Sequence, residues 1–271
     1  MSVSIPFFAA GIAGLILDMD GTLLRGDTPL PGLAHLFRTM RARPLPFMIV
    51  TNNATKSTAD YRRKMAGFGI DVAEGEILTA GMATVNYVQQ KLPAGAPLYV
   101  IGQPALRDGL REAGFRLVET AYEPAAALVV GGDPQLTYEK LKNGVLHLQR
   151  GAQFIGTNPD LLYPTEEGMV PETGTTLAAL QAATGRTPVV IGKPARHLFD
   201  LAVARLGCGA GETAVVGDRL ETDIRGGQLV GLKTILTTTG IDNELTIRQK
   251  NIHPDRIVDG LDALAQLLKG E

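Results

Sequence analysis

Four short stretches carry residue types that could do chemistry together. The first is Asp18-Met19-Asp20-Gly21-Thr22-Leu23. Two carboxylates two residues apart in extended chain can face one side, and Gly21 then permits a sharp turn. Clustered carboxylates repel one another and invite a cation. Hard oxygen donors suit Mg²⁺, which binds through one or two carboxylates plus a substrate phosphate. The same stretch is also compatible with an Asp-Gly turn after a strand. The ligands of a Ca²⁺-binding EF-hand loop do not follow at their required spacing.

The second stretch, Thr51-Asn52-Asn53, follows the apolar run Phe47 to Val50. A hydroxyl and backbone N–H groups at a strand end can hold a phosphate oxygen, or can simply cap a helix. The third is Gly192-Lys193-Pro194. A lysine held in a stiff turn can neutralise a transferring phosphoryl group, although a surface lysine is the commoner case. In the fourth, Gly217-Asp218-Arg219-Leu220-Glu221-Thr222-Asp223, two carboxylates five residues apart follow a buried run and suggest a second half of a metal site. Ordinary loop and cap chemistry would also account for it.

The elements that must position these residues read as alternating strands and helices. Leu15 to Leu17, Phe47 to Val50, Val189 to Ile191, Ala214 to Val216 and Thr234 to Leu236 are strand-like. Leu33, Leu36, Phe37 and Met40 fall at i, i+3, i+4 and i+7, one face of a helix. Further helices are expected around Asp60 to Phe68, His197 to Leu206 and Leu261 to Leu268. This rhythm predicts an α/β fold with a parallel sheet flanked by helices. Asp18, Thr51 and Asp218 then lie beyond carboxyl ends of strands, where such sheets bind ligands. The middle of the chain has strands of its own, at Leu98 to Ile101, Phe115 to Val118, Ala127 to Val130 and Phe154 to Gly156, with a helix over Tyr138 to Leu148. It is long enough for a small inserted domain. The division expected is residues 1–80 with 186–271 as one domain and 81–185 as the other.

Composition narrows the function. The 271 residues suggest about two domains. Lys plus Arg number 26 and Asp plus Glu 28, a formal charge of −2. There is no basic excess to draw the chain onto a nucleic-acid polymer or an anionic membrane. The apolar stretch Phe7 to Leu17 is too short to cross a bilayer and lacks the basic flank and cleavage site of a signal peptide. The single cysteine, Cys208, cannot form an intramolecular disulfide and suits a reducing cytoplasm. The histidines His35, His147, His197 and His253 match no metal-ligand spacing.

Taken together and in this order, the four stretches resemble the motifs of the haloacid dehalogenase (HAD) superfamily. The resemblance is to the branch with NagD-like, p-nitrophenylphosphatase-like and phosphoglycolate phosphatase-like enzymes. Thr157-Asn158-Pro159-Asp160, followed by Pro164, Gly168 and Pro171, adds to it. It spans nearly the full chain. It implies a Rossmann-like core with an α/β cap inserted between the second and third motifs. It also implies that Asp18 is the nucleophile and Asp20 the general acid/base, and that Thr51, Asn52 and Lys193 hold the phosphoryl group. Mg²⁺ would be bound by Asp18, the carbonyl of Asp20 and Asp218, with Asp223 acting through water or from behind. Asn158, Asp160 and the segment through Thr173, with Glu172, would lie near the substrate. Glu172-Thr173-Gly174-Thr175-Thr176 departs from the Gly-rich segment of many relatives.

The implied activity is a cytoplasmic, Mg²⁺-dependent hydrolysis of small phosphomonoesters, such as sugar phosphates, phosphoglycolate or nucleoside monophosphates, through an aspartyl-phosphate. A phosphomutase or phosphotransferase on the same scaffold is the enzymatic alternative. A non-catalytic phosphometabolite-binding protein is the alternative from another class, and the presence of both Asp18 and Asp20 argues against it. A homodimer through the cap is expected by the same resemblance.

Overall fold

A computed structural model describes residues 11–165 and 167–270. The first four residues of the apolar stretch Phe7 to Leu17 lie outside them. The chain forms two compact units. One comprises residues up to Thr51, Thr58–Leu78 and Leu198 onward, and the other Asn52–Ser57 and Thr79–His197.

The first unit starts with β1 (Gly14–Asp18), the short hairpin β2 (Leu24–Arg25) and β3 (Thr28–Pro29), then α1 (Leu33–Ala42), β4 (Phe47–Thr51), α2 (Thr58–Gly67) and β5 (Ile77–Thr79). The second unit follows with α3 (Ala80–Lys91), β6 (Pro97–Ile101), α4 (Pro104–Glu112), β7 (Arg116–Val118), β8 (Ala127–Val130) and α5 (Tyr138–Gln149). It continues through β9 (Gln153–Gly156), the hairpin β10 (Leu162–Thr165) and β11 (Gly168–Pro171), α6 (Thr173–Thr184) and β12 (Val189–Val190). The chain returns to the first unit in α7 (Arg196–Leu206), then β13 (Thr213–Gly217), a π-helical turn Leu220–Ile224, α8 (Arg225–Leu229), β14 (Lys233–Thr237), α9 (Glu244–Lys250), β15 (Arg256–Val258) and α10 (Leu261–Lys269).

The sheet of the first unit has the order β15-β14-β13-β1-β4-β5. β1 pairs in parallel with β13 (Leu17 beside Val216) and with β4 (Asp18 beside Val50). The chain leaves β1 toward β4 and β5, then crosses to β13 and builds outward the other way. This reversal lies at β1 and β13, and in open α/β sheets the crevice at such a switch point binds ligands. β1, β4 and β13 are buried along their whole length, as strands covered on both faces must be. Leu33, Leu36, Phe37 and Met40 are the buried face of α1, and they share a core with Leu261, Leu264 and Leu268 of α10.

The second unit repeats the device on a smaller scale. Its sheet has the order β12-β9-β8-β6-β7, and its pairings are parallel. Tyr99, Ile101, Leu128, Val130, Phe154 and Leu180 form its core.

Two features differ from the sequence-based expectation. Val189 to Ile191, expected to belong with the first domain, is hydrogen-bonded to β9: Val189 pairs with Ile155, and the Ile191 N–H donates to Gly156 O (3.0 Å). The compact units accordingly divide near residues 79 and 197. The run is apolar enough for either sheet, and only its long-range pairing assigns it. Thr173–Thr184, for which no element was named from the sequence, form α6. Asp18, Thr51 and Asp218 all end or follow strands, as expected.

The centre of the first sheet leaves no room to relax. Leu15 is fully buried. Replacing it with Ala should cost about 2–5 kcal/mol and visibly lower the thermal midpoint; an unchanged midpoint would contradict this packing.

Candidate functional site

Asp18 is the last residue of β1, and Asp218 directly follows β13. Because these strands are neighbours in parallel, their carboxyl ends bring the two aspartates together. The π-helical turn then folds Asp223 back. One carboxylate oxygen from each of Asp18, Asp218 and Asp223 lies within 4.8 Å of the others, and all three residues are buried. Three anionic oxygen donors so close together, away from bulk water, fit a hard divalent cation such as Mg²⁺. Histidine and cysteine take no part in this cluster.

The surrounding backbone is shaped for these carboxylates. Gly21 adopts φ +88°, and a Cβ there would stand 2.3 Å from Asp218 Oδ2. A Cβ on Gly240 would stand 1.9 Å from the same atom. Neither position can carry a side chain without displacing Asp218. The Ile241 N–H donates to Asp218 Oδ2 (2.9 Å). The Arg219 N–H and the Thr222 hydroxyl donate to Asp223 Oδ2 (3.2 and 3.3 Å).

Asp20 is not part of the three-carboxylate cluster. It lies half-buried on the turn after β1. The Gly21 N–H donates to Leu24 O (2.7 Å), while Leu23 and Leu24 donate to Met19 O (2.9 and 3.0 Å). Met19, between the two aspartates, is fully buried. Asp18 thus ends the strand, and Asp20 follows Met19, the turn's anchor in the core. Thr51 is the buried last residue of β4.

The remaining candidates form a polar network within the second unit. The Asn52 side chain accepts from the Lys193 N–H (2.8 Å) and donates to Lys193 O (3.0 Å) and to Asp160 Oδ2 (2.9 Å). Expected to help hold a phosphoryl group, the Asn52 amide is thus engaged by Lys193 and Asp160. Asn158 donates to Asn52 O (2.9 Å) and to Thr173 Oγ1 (3.2 Å), and accepts from the Asp160 N–H (3.0 Å). Lys193 is only 3% exposed. A Cβ on Gly192 would meet Asn52 Oδ1 and Thr157 O, both at 2.6 Å, so a glycine must precede the lysine.

Glu172 joins this network at the start of α6. It accepts from the Thr173 hydroxyl (3.0 Å), and its carboxylate covers Gly132, where a Cβ would lie 2.7 Å away. Burial pushes its carboxyl above the ordinary value, and hydrogen bonds from Thr173 and Asn158 only partly oppose that.

Sequence reasoning missed two carboxylates. Asp133, after β8, is tied to Lys140 Nζ (2.7 Å). Asp242 is buried; its Oδ2 accepts from the Leu220 N–H (2.7 Å) and its Oδ1 from Lys250 Nζ (2.9 Å). Burial pushes the Asp242 carboxyl up, but the Leu220 N–H and the Lys250 ammonium together hold it below the ordinary value. The only sequence signal for either was an aspartate shortly after a strand.

The histidines serve elsewhere. His35 meets Asp262 (2.8 Å), His147 lies against Tyr99, His197 against Tyr87, and His253 beside Asn251. Cys208 Sγ donates to Ala13 O (3.4 Å). Among the described residues no helix is long and apolar enough to cross a membrane.

A raised native carboxyl value means that the folded chain holds the Glu172 proton more tightly than the unfolded chain. Its contribution to stability therefore falls as pH rises through the ordinary carboxylate range to the raised value, and the cost is complete above that. Glu172→Gln should melt higher than the unsubstituted protein at neutral pH, with the gap closing in acid. A gap that does not change with pH would contradict this.

Known proteins show the same organisation. A haloacid dehalogenase-like hydrolase family profile matches residues 15–116, and a HAD-hydrolase-like profile matches residues 190–264. A 5'-nucleotidase of Bacillus subtilis is 34% identical over 248 residues, covering 92% of this chain and 95% of its own. An acid sugar phosphatase of Staphylococcus aureus is 35% identical over 255 residues, covering 94% and 97%. The solved p-nitrophenyl phosphatase of Archaeoglobus fulgidus superposes with a TM-score of 0.89 at 32% identity, covering 94% of this chain and 98% of its own. The glycerol phosphate phosphatase of Mycobacterium tuberculosis, solved in complex with magnesium, gives 0.86 at 30% identity, covering 96% and 78%. With its carboxylates at the switch point of a doubly wound sheet, this chain belongs to the haloacid dehalogenase-like hydrolases, in the NagD-like and p-nitrophenylphosphatase-like branch.

Proposed function

We propose that this protein is a Mg²⁺-dependent phosphatase of small phosphomonoesters, acting through an aspartyl-phosphate on Asp18. The observation that carries the reading is the buried cluster of Asp18, Asp218 and Asp223 at the carboxyl ends of β1 and β13. The phosphatase relatives, one of them solved with magnesium, support it.

Asp18, Asp218 and the carbonyl of Asp20 would hold the cation, and Asp223 would orient it from behind or through water. When bound, it supplies positive charge that offsets the repulsion between a carboxylate nucleophile and an anionic phosphoryl group. A carboxylate oxygen of Asp18 attacks phosphorus in line; the new O–P bond forms as the ester P–O bond breaks. Asp20, protonated, gives its proton to the departing alkoxide. Asp20, now a carboxylate, takes a proton from the water that attacks the phosphoryl group, and the bond to Asp18 breaks to release inorganic phosphate. Thr51 and Lys193 hold phosphoryl oxygens. Asn52 serves chiefly by bracketing the backbone of Lys193 and the carboxylate of Asp160. The work of Thr51, Lys193 and Asn52 is positioning and charge stabilisation, while the covalent step is on Asp18.

We assign recognition of the leaving group to Asn158, Asp160 and Glu172. Sugar phosphates, phosphoglycolate and nucleoside monophosphates are the candidate substrates. A cytoplasmic location and a dimer formed through the second unit belong to the same reading.

The test is phosphate release from a panel of these esters, with Mg²⁺ and with chelator, beside Asp18→Asn. The expected outcome is Mg²⁺-dependent turnover that disappears in the variant while the variant still folds. Turnover that survives chelation or survives Asp18→Asn would overturn the proposal.

A further inference from the structure

α9 starts with a capping arrangement complete in itself. The Asn243 side chain accepts from the N–H groups of Leu245 and Thr246 (2.9 and 3.3 Å), and its own N–H donates to Thr246 Oγ1 (2.9 Å). The helix therefore does not need Asp242 as its cap. Yet Asp242 is 1% exposed, and burying a carboxylate is costly unless its oxygens are engaged.

Besides the Thr246 side chain and Lys250 of α9, what engages Asp242 is the loop that carries the candidate metal ligands. Its N–H donates to Asp218 O (3.0 Å), directly after the Ile241 N–H has donated to Asp218 Oδ2 (2.9 Å). Its Oδ2 accepts from the N–H of Leu220 (2.7 Å), the first residue of the turn that folds Asp223 back. Lys250, at the far end of α9, donates to Asp242 Oδ1 (2.9 Å) and to Glu221 Oε2 (2.6 Å). The backbone N–H and the carboxylate of Asp242, with the Lys250 ammonium, thus hold three points along this loop: the Asp218 carbonyl, the Leu220 amide and the Glu221 side chain.

We propose that Asp242, braced by Lys250, is a positioning residue that sets the spacing of Asp218 and Asp223 for a divalent cation. The inference rests on the reading of Asp18, Asp218 and Asp223 as a cation site. Its physical logic is that of outer partners of metal ligands, whose loss weakens metal binding without removing a ligand. The charge matters as well as the shape: a neutral amide at 242 keeps an acceptor for the Leu220 N–H but gives up the pairing with Lys250.

The probe is Mn²⁺, titrated into the 271-residue chain and followed by the loss of the free-ion paramagnetic resonance signal. Asp242→Ala, Asp242→Asn and Lys250→Met are compared with the parent and with Asp218→Ala. Asp242→Ala should weaken Mn²⁺ binding about tenfold or more, with Asp242→Asn and Lys250→Met between it and the parent. Turnover of p-nitrophenyl phosphate by Asp242→Ala should recover at high Mn²⁺, with the parent's KM. Unaltered Mn²⁺ affinity in folded Asp242→Ala, or lost turnover that excess cation does not restore, would overturn the role of Asp242. Should Asp242→Ala fail to fold, Lys250→Met decides: unaltered Mn²⁺ affinity there overturns the proposal equally. A parent that binds no Mn²⁺, or binding that survives Asp218→Ala, would instead overturn the cation site and the proposal with it.

Discussion

Mutual repulsion among three buried carboxylates is the constraint on which the rest of this structure turns. Two unit charges 4.8 Å apart, the outer limit of the oxygen separations here, repel by about 3.5 kcal/mol at an effective dielectric of about 20. Three such pairs oppose the closure of the first unit's own switch point. A chain would be expected to keep this arrangement only where a cation relieves it. The chemistry proposed for the protein uses the same feature, since a charge that neutralises Asp18 against its neighbours also lets it approach an anionic phosphoryl group.

The fold meets the constraint with rigid elements. Asp18 and Asp218 end or follow strands buried along their whole length, so their backbones cannot yield to the repulsion. Glycines occupy the points of closest approach: Gly21 and Gly240 flank the Asp218 carboxylate, and a Cβ on Gly217 would stand 2.3 Å from Asp223 Cγ. The second unit applies similar economy to its polar network. There one amide, that of Asn52, holds both the N–H and the carbonyl of Lys193 and one oxygen of Asp160.

The strands that end at Asp18, Thr51 and Asp218 were legible in the sequence because doubly covered parallel strands are short, continuous apolar runs followed abruptly by polar residues. α1 was legible for its single apolar stripe. α6 was not, because Thr173 to Thr184 is nearly all Thr, Ala, Gly and Leu and its buried face, Thr173, Gly174, Thr176, Leu177 and Leu180, is set by close packing rather than by a contrast in polarity. β12 was assigned to the other sheet because two valines pair equally well with any parallel neighbour. The side-chain partners of Asn52, Asp160 and Lys193, are 108 and 141 residues away, out of reach of any local pattern. Asp242 was invisible for the same reason: its carboxylate accepts from an amide 22 residues earlier and an ammonium 8 residues later. Local pattern identifies the residues that end elements, and only the tertiary structure identifies those that hold them.

The most direct test of the central claim is the thermal midpoint of the protein in chelator and in excess Mg²⁺, measured beside Asp218→Ala. A bound cation that relieves carboxylate repulsion stabilises the folded chain by an amount that grows with the logarithm of cation concentration above Kd. The account predicts a midpoint that rises with Mg²⁺ in the parent and does not respond in Asp218→Ala. A midpoint indifferent to Mg²⁺ in the parent, or an equal rise in both proteins, would contradict it.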